Sequence, residues 1–444
     1  MIEDRPLTDD ERFPLIDAAG RAWLDALRQH EFAPRYNMTC GDRLTAAGRE
    51  RVRTFEREIF ETSPRWKAGE VPGWVEIFTE VCLHDVPFYR RRGGRDFAQL
   101  PAIARADLQR EPWSFVPDDQ PLDEMINYWS SGASGHTMDV LSHPEVASMR
   151  LPIFRKALAR YGLTLDGGPR RTAIAFICSQ SRTMTYASLS AYLDGAAHVK
   201  INLNPSEWRD PGDRVHFIDA LDPEILTGDP LSFLDLAALP LRIRPKALIS
   251  TAMLLLPAMR ERLEQRFGCP VVDIYSTCET GPIGVSSPRG FDLFLHDVYI
   301  EILRPDGSVA APGERGEIAF TGGRNPFLPL LRYRMGDWAA LSFDGDVPAL
   351  VDFEGRMPVV FRATDGHAIN NIDVTIAFRA FLLTQFTVHQ NADGSLIVRT
   401  LPHPIGGIDA ALRGLFGAEQ RITIESLPDD GAKRIPYTTD LLNF

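Results

Sequence analysis

The sequence predicts an α/β protein with a large N-terminal domain, built from parallel-sheet layers and a β subdomain, and a small ferredoxin-like C-terminal domain. Three patterns predict this class. From about residue 143, short apolar runs alternate with amphipathic stretches, as in parallel strands joined by helices. Residues 298–352 have short apolar runs separated by Pro/Gly turns, and the order after Arg356 is βαββαβ. We therefore expect domains at 1–354 and 355–444.

Hydrophobic spacing predicts the elements of the large domain. Apolar residues recur at helical intervals in several blocks over about residues 8–92, with Thr8 or Asp9 as the first N-cap, and another helix is predicted over about 144–162. Apolar runs typical of strands follow at Thr172–Cys178, Glu224–Thr227, Ala247–Ser250 and Val271–Ile274. A helix before the last strand has apolar residues at Leu255, Met259, Leu263 and Phe267. Because ligands bind beyond the carboxyl ends of parallel strands, we expect a site near Glu279.

The C-terminal unit is predicted from the same kind of pattern. Its elements, in order, are a strand at Val359–Arg362, a helix at 371–382, a hairpin of 384–390 and 395–399, a helix near 407–416 and a strand at 421–425. The turn Asn391-Ala-Asp-Gly394 joins the two hairpin strands. This order is the ferredoxin-like one.

The composition excludes several classes of binding partner and of structural site. The chain has 444 residues, of which 44% are hydrophobic and 24% charged, as in globular proteins with an ample core. A net charge of −12 without a Lys/Arg block argues against nucleic acid or an anionic membrane as the main partner. The five cysteines include no CxxC pair, so neither a zinc knuckle nor a disulfide framework is indicated. An acidic, polar N-terminus and the lack of a long apolar run predict a cytoplasmic protein.

Three segments carry residues that suit a nucleotide. Tyr128–His136 is rich in hydroxyls and glycine, Asp273–Glu279 places an aromatic residue before an acid, and Leu331–Asp337 ends in an acid flanked by arginines. Backbone N–H and hydroxyl donors can surround phosphates, and an aromatic face can cover adenine. One carboxylate can help to hold Mg²⁺ while another binds ribose hydroxyls. Each segment alone is equally typical of a flexible turn or a buried strand end.

Together, the order and spacing of these segments resemble the adenylate-forming superfamily, whose enzymes activate a carboxylate as an acyl-AMP. The chain resembles in particular the phenylacetate–CoA ligase branch, and the resemblance covers most of the sequence. Further segments similar to that branch are Val86–Arg90 (VPFYR), Leu100–Leu108, Leu295–Glu301, Gly313–Glu317, Leu328–Asp337 and Phe353–Arg356.

The resemblance implies roles for the loop that follows Tyr128. Phosphate contacts are implied for Ser130, Ser131, Gly132, Ser134, Gly135 and His136. The loop departs from the family at Ala133, where threonine is usual, and at His136-Thr137, where Lys-Pro is common. A hydroxyl and a fixed positive charge are therefore missing, and His136 can replace that charge only when it is protonated.

The other two segments complete the implied nucleotide site. Nucleotide contacts are implied for Asp273, Tyr275, Ser276, Cys278, Asp337 and Arg356. Tyr275 would stack on adenine, Glu279 would contact Mg²⁺, and Asp337 would bind the ribose. Arg356 would contact ribose or phosphate. Cys278 stands where a threonine hydroxyl usually meets the α-phosphate, and a thiol is the weaker donor.

The family lysine has one candidate here. Lys433, in Gly431-Ala-Lys-Arg434, is the expected catalytic residue together with Glu279 and Arg356, although aligning Lys433-Arg434 with the family's later Lys-Arg places Gly431 at the catalytic position. A solvated tail lysine is the alternative. At the expected hinge the family usually has an acid, whereas this chain has Pro358, which restricts backbone rotation.

The substrate pocket is predicted only from the positions at which the branch usually binds its acyl group. These are Phe176, Ser179, Tyr186, Ser250 and Thr251. The expected activity is ATP- and Mg²⁺-dependent activation of an aryl or arylacetic acid, followed by transfer to CoA as co-substrate. Two alternatives stay open: transfer of the acyl-AMP to an amine, carrier protein or other acceptor, and a non-catalytic relative. A homodimer also stays open.

Overall fold

The structure is a computed structural model. It describes residues 6–94, 96–130, 138–179, 183–252, 254–354, 360–366, 368–370, 374, 377–378, 380–381, 383, 385–428 and 437–441. Within these ranges, no helix combines the length and the apolar character that crossing a membrane requires.

The helices are mostly in the first two thirds of the chain. They are α1 Asp9–Arg12, α2 Ala18–Arg28, α3 Ala46–Glu61, α4 Gly73–Asp85, α5 Pro87–Arg92, α6 Arg105–Arg110, α7 Glu145–Ala159, α8 Asp213–Leu221, α9 Pro230–Ala237, α10 Pro257–Phe267 and α11 Ile408–Phe416. Short 3-10 turns cover Phe97–Gln99, Pro112–Phe115, Leu122–Glu124 and Pro205–Glu207.

The strands follow the helical start of the chain. They are β1 Ile103–Ala104, β2 Ile126–Ser130, β3 Met138–Ser142, β4 Thr172–Cys178, β5 Tyr186–Ser190, β6 Ala196–Asn202, β7 Ile225–Gly228, β8 Ala247–Ser250, β9 Val271–Thr277, β10 Gly281–Ser287, β11 Gly290–Leu293, β12 Tyr299–Leu303, β13 Gly316–Gly322, β14 Leu330–Ser342, β15 Ala349–Glu354, β16 Val360–Arg362, β17 Ala368–Asn370, β18 Gln385–Gln390, β19 Leu396–Leu401, β20 Ile422–Ser426 and β21 Tyr437–Thr439.

One long mixed sheet organises the large part of the chain. Its order is β12-β13-β14-β15-β11-β10-β9-β8-β7-β4-β6-β5, and β1 pairs with β14. Strands β6, β4, β7, β8 and β9 are parallel, whereas β9 to β15 continue through antiparallel pairs. The predicted α/β class, with parallel strands followed by a β subdomain, is therefore confirmed.

Local physics explains why the predicted elements form. Thr8 caps α1 through a capping box, in which its hydroxyl accepts from the backbone of Glu11 and the Glu11 carboxylate accepts from the backbone N–H of Thr8. Helix α10 buries Met259, Leu263 and Phe267, which recur every four residues on one side. These side chains join the core around β4 and β7–β9, so the apolar stripe read from the sequence is the face that packs on the sheet.

The strand register shows which side chains share a face of the sheet. Phe176 and Tyr186 both pair with Lys200 on β6, so these three side chains share one face. Ser250 pairs with Asp273, and the row continues through Gly228 to Ile177, the neighbour of Phe176. Because side chains alternate along a strand, Ser250 and Asp273 lie on the opposite face from Phe176.

The C-terminal part has its own sheet and its own core. The sheet order is β20-β19-β18-β21, and helix α11 buries Ile408, Leu412 and Phe416 in the associated apolar cluster. The predicted hairpin, helix and strand are confirmed at β18–β19, α11 and β20. Two details differ from the prediction. Strand β16 pairs with β17 in a separate two-stranded sheet, and β21 supplies the fourth strand through parallel pairing with β18. The predicted helix at 371–382 lies mostly outside the described residues.

Candidate active site

The structure brings two of the predicted nucleotide residues together. The phenolic hydroxyl of Tyr275, on β9, donates a hydrogen bond of 2.7 Å to Oδ2 of Asp337, on β14. These residues are 62 positions apart in the sequence. The aromatic residue and the acid that were predicted to bind adenine and ribose therefore lie side by side.

Aromatic packing holds the Tyr275 ring in place. The Phe353 ring meets it edge-on, with centroids 4.5 Å apart, and Phe291 packs against both rings. Tyr275 is only 8% exposed, and this burial, together with the neighbouring charge of Asp337, raises the pKa of its phenol well above the usual value. The phenol therefore stays protonated and remains a hydrogen-bond donor to Asp337.

The predicted metal-binding carboxylate is also buried and already has cationic and hydroxyl partners. Glu279 is 6% exposed, and its Oε1 lies 2.6 Å from Nη1 of Arg105. The hydroxyl of Tyr333 donates to the same oxygen at 3.3 Å. Burial, and secondly the charge of Glu279, raise the pKa of Tyr333, so this hydroxyl too stays protonated. The Glu279 carboxylate is thus held in one orientation from two sides.

Two local features place Glu279 and Arg105 next to each other. The connection from β9 to β10 is a tight turn, in which the Thr277 hydroxyl accepts from the backbone N–H of Thr280 at 3.3 Å. Strand β1 pairs in parallel with β14, with Ile103 opposite Tyr333. Arg105 follows β1 directly, so this short pairing carries its guanidinium to the Glu279 carboxylate.

The arginines beside Asp337 hold the strands of the β subdomain. Nε of Arg332 donates to Glu301 at 3.0 Å, and Nε of Arg334 donates to Glu317 at 2.6 Å. The second oxygen of Glu317 accepts from the backbone N–H of Gly336 at 3.2 Å. Gly336 has φ +75°, a conformation that glycine adopts without steric cost. These contacts fix the backbone immediately before Asp337.

Asp273 lies in a different environment from Tyr275. It is 8% exposed and pairs in register with the fully buried Ser250. Burial raises the pKa of Asp273 to about 7, against the opposing effects of Arg260 on α10 and of the Ser250 hydroxyl. The structure thus places Asp273 and Ser250 inside the sheet, towards α10.

The predicted pocket residues lie in separate surroundings. The backbone N–H of Ser179 donates to the hydroxyl of Ser232 at 2.9 Å, and the Ser179 hydroxyl donates to Asp235. The backbone N–H of Thr251 donates to Gly228 O at 2.9 Å. Phe176 and Tyr186 share a face with Lys200, opposite Ser250. The register therefore does not place all five residues on a single surface.

The remaining predicted residues are near the site in sequence or fall outside the description. Ser276 is half-buried and the Cys278 thiol is exposed beside Glu279. For Ser130 only the backbone pairing with Met138 is described. The predicted residues that lie outside the described part of the chain are Ser131, Gly132, Ser134, Gly135, His136, Arg356 and Lys433.

Several residues of the site were not predicted. Arg105, Tyr333, Phe353 and Phe291 make the contacts that hold Glu279 and Tyr275. The motif segments contained three of them, but their roles depend on long-range pairing. In the described ranges, no group of three or more His, Cys, Asp or Glu side chains forms a cluster that could hold a metal.

Comparisons with known proteins agree with the motif resemblance. No protein-family model matches the chain. It is 22% identical over 340 residues to the phenylacetate–coenzyme A ligase of Pseudomonas putida, covering 74% of this chain and 69% of that enzyme. A shorter match, 37% identical over 90 residues, is to the phenylacetate–coenzyme A ligase of Escherichia coli (strain K12), and spans 19% of this chain and only 21% of that enzyme.

The fold has a solved counterpart. A crystal structure of 2-hydroxyisobutyryl-CoA ligase, in the postadenylation state with 2-HIB-AMP, superposes with a TM-score of 0.61 at 14% identity. The match covers 83% of this chain and 88% of that one. The chain therefore shares the fold of this CoA ligase. The predicted resemblance to the phenylacetate–CoA ligase branch is confirmed by its relatives.

Proposed function

We propose that this protein is an ATP-dependent, AMP-forming acid–CoA ligase that activates an aryl or arylacetic acid. The hydrogen bond of 2.7 Å between Tyr275 and Asp337 carries the proposal, because it joins an aromatic ring to a carboxylate as adenosine recognition requires. An ionised carboxylate can accept several hydrogen bonds, so Asp337 can bind ribose hydroxyls while it keeps Tyr275. Relatives named as phenylacetate–coenzyme A ligases support the same activity.

Glu279 fits Mg²⁺ in the presence of ATP. Mg²⁺ in enzymes usually binds one or two carboxylates and takes its other ligands from waters and substrate phosphates. A single buried carboxylate, oriented by Tyr333, is therefore a suitable protein ligand. When bound, Mg²⁺ would neutralise charge on the departing pyrophosphate. Arg105 supplies a positive charge at the same oxygen of Glu279 that accepts from Tyr333.

The proposed reaction has two halves. The substrate carboxylate attacks the α-phosphorus of ATP, the bond to pyrophosphate breaks, and an acyl-AMP forms. The CoA thiol then loses its proton and attacks the acyl carbon, and AMP leaves. Because negative charge accumulates at the phosphorus in the first half, positioning and cationic neutralisation supply most of the catalysis. We propose Lys433 and Arg356 as cations for that step.

Domain movement belongs to the proposal as well. We propose that 1–354 and 355–444 are the large and small domains and that the small one moves between the two half-reactions. If Pro358 restricts that movement, Pro358→Asp should speed discharge of acyl-AMP to CoA and leave adenylation unchanged. Lys433→Ala should do the opposite, slowing adenylation and sparing discharge. Single-turnover measurements of both halves separate these effects.

Pyrophosphate release across a panel of carboxylic acids, with and without CoA, tests the proposed function. Acid-dependent release together with a CoA thioester supports it. Release that yields a hydroxamate when hydroxylamine is added, but no thioester with CoA, would favour the non-CoA acceptor. The departures from the family pattern at Ala133, Cys278 and Pro358 favour the same alternative. The absence of acid-dependent release from a folded protein would favour the non-catalytic alternative.

A further inference from the structure

A group of bases lies on the sheet face that carries Phe176 and Tyr186. Lys200 is between these two residues in register, and its Nζ lies 4.8 Å from the centre of the Phe176 ring. His198 comes two residues earlier on the same strand and face, with its ring 6.1 Å from that of Tyr186. We call Lys200, His198 and Arg150, a residue of α7 whose charge acts on His198, the basic cluster.

The two cations of the basic cluster have no ion-pair partner among the described residues. Among the residues that the structure describes, no carboxylate oxygen lies within 4.0 Å of the Lys200 or Arg150 side-chain nitrogens, and Nε of Arg150 is buried without a hydrogen-bond partner. By contrast, Arg155, five residues further along α7, is paired with Glu56 at 2.8 Å. A half-buried cation without an anionic partner reduces the stability of a folded protein, because the loss of hydration of its charge is not compensated.

The charges of Lys200 and Arg150 both affect the pKa of His198. Burial, with added effects from Lys200 and then Arg150, lowers the pKa of His198 to about 4, so this imidazole is neutral near pH 7. The charge of Arg150 also acts on Tyr186 and on Tyr128. Tyr128 belongs to β2, which leads directly into the predicted phosphate loop. The charge of Arg150 therefore acts on residues of both β5 and β2.

We infer that the acid activated by this protein carries a second anionic group, a carboxylate or a phosphate-type oxyanion, which Lys200 and Arg150 bind. This inference rests on the proposed function and narrows its substrate class. Phe176 and Tyr186 flank Lys200, so an aromatic skeleton would lie between their rings with its distal anion on the ammonium group. An acid with only the reacting carboxylate would leave both cations without a counter-ion from the described part of the chain.

Matched substrates test the inference. We would compare 4-carboxyphenylacetate and 4-phosphonophenylacetate with 4-carbamoylphenylacetate, which has a similar shape but no second charge, by acid-dependent pyrophosphate release. We expect kcat/KM to favour at least one dianionic acid over the amide by about a hundredfold, since a site built for a charged partner strongly rejects a neutral isostere. Equal values for the three acids would overturn the inference and leave the proposed function intact.

Substitutions at Lys200 test whether this residue causes the preference for acids with a second anionic group. Lys200→Met should lower kcat/KM for the preferred dianionic acid about tenfold or more and leave the KM for ATP unchanged, whereas Lys200→Arg should retain most of it. Lys156→Met is the matched control, because Lys156 also lies over a ring, that of Phe60 at 5.0 Å, but at the protein surface. A raised KM for ATP with an unchanged KM for the acid would overturn the inference.

Direct binding separates failure of the inference from failure of the proposed function. Calorimetric titration of 4-carboxyphenylacetate and 4-phosphonophenylacetate without ATP should show binding to the parent and at least tenfold weaker binding to Lys200→Met, with thermal unfolding confirming that the variant is folded. If no acid releases pyrophosphate but this difference is observed, the proposed function fails and the anion site stands. If neither dianionic acid binds the parent, the inference is wrong.

Discussion

Nη1 of Arg105 lies 2.6 Å from Oε1 of Glu279, so the carboxylate predicted to bind Mg²⁺ has a cationic partner within the protein. The partners are 174 residues apart in sequence, and the carboxylate is almost fully buried. Replacing one member of a buried ion pair is costly because the other charge remains without compensation. The pair therefore orients Glu279 and also stabilises the fold.

Arg105→Met should reduce the free energy of unfolding by about 3 kcal/mol, because the buried Glu279 carboxylate loses its cation. Urea denaturation measures the change, and Arg105→Lys, which retains a charge, should lose less. Adding ATP with Mg²⁺ should restore part of the stability by supplying another cation at Glu279. If the stability of Arg105→Met matched that of the parent, the ion pair would have no structural role.

Glu279→Gln should still fold, although with lower stability because Arg105 loses its ion-pair partner. It should reduce pyrophosphate release by about a hundredfold or more, because the amide keeps the shape but cannot supply the metal-binding charge. Steady-state rates at saturating Mg²⁺ and ATP are the measurement. Glu76→Gln, a change at the start of α4 outside the site, is the control and should retain the parental rate. Rates within a few-fold of the parent would rule out Glu279 as the metal ligand.

Asp337→Ala should raise the KM for ATP by about 10–100-fold, since a hydrogen bond to an ionised group contributes roughly 1.5–3 kcal/mol. Tyr275→Phe removes the hydroxyl that donates to Asp337 but keeps the ring, so it should raise the KM for ATP less. An unchanged KM in Asp337→Ala would limit this carboxylate to a structural role.

Asp273 predicts a pH dependence of stability. Its pKa is raised to about 7 in the folded protein, well above its usual value, so the folded state retains a proton that the unfolded state has lost. The proton that Asp273 retains contributes to the free energy of unfolding at pH 4, and this contribution is lost as the pH rises to 7. Asp273→Asn should therefore match the parent at pH 4 and exceed its free energy of unfolding by about 2–4 kcal/mol at pH 8.

Urea denaturation of both proteins across this pH range is the measurement. Asp306→Asn is a control of the opposite sign, because the Ser308 hydroxyl lowers the pKa of the exposed Asp306 carboxyl. A constant difference between Asp273→Asn and the parent from pH 4 to pH 8 would show that Asp273 titrates normally.

Local signals were sufficient for many of the elements. The bounds of β4 and β8 were predicted residue for residue, because each is a short apolar run of a buried strand. The capping box at Thr8 likewise depends only on residues within one helical turn. Strand β21 was missed, since three residues without alternation carry no strand signal of their own.

Long-range geometry could not be read from the motifs. The motif spacing suggested that Tyr275 and Asp337 act together, but not that they are hydrogen-bonded. The contact of Arg105 with Glu279 depends on the pairing of the two-residue strand β1 with β14. The separation of Phe176 from Ser250 depends on the register across three strands, β4, β7 and β8, and a shift of one residue would reverse it.

Transfer of ¹⁸O from the substrate carboxylate tests the central claim most directly. When a labelled acid is activated through an acyl-AMP, one carboxylate oxygen becomes the bridge to phosphorus and leaves with AMP after CoA attacks. With an ¹⁸O-labelled acid, ATP, Mg²⁺ and CoA, we predict AMP carrying one ¹⁸O, unlabelled pyrophosphate and a CoA thioester. Label in inorganic phosphate together with ADP, or AMP without label, would contradict adenylation by this protein.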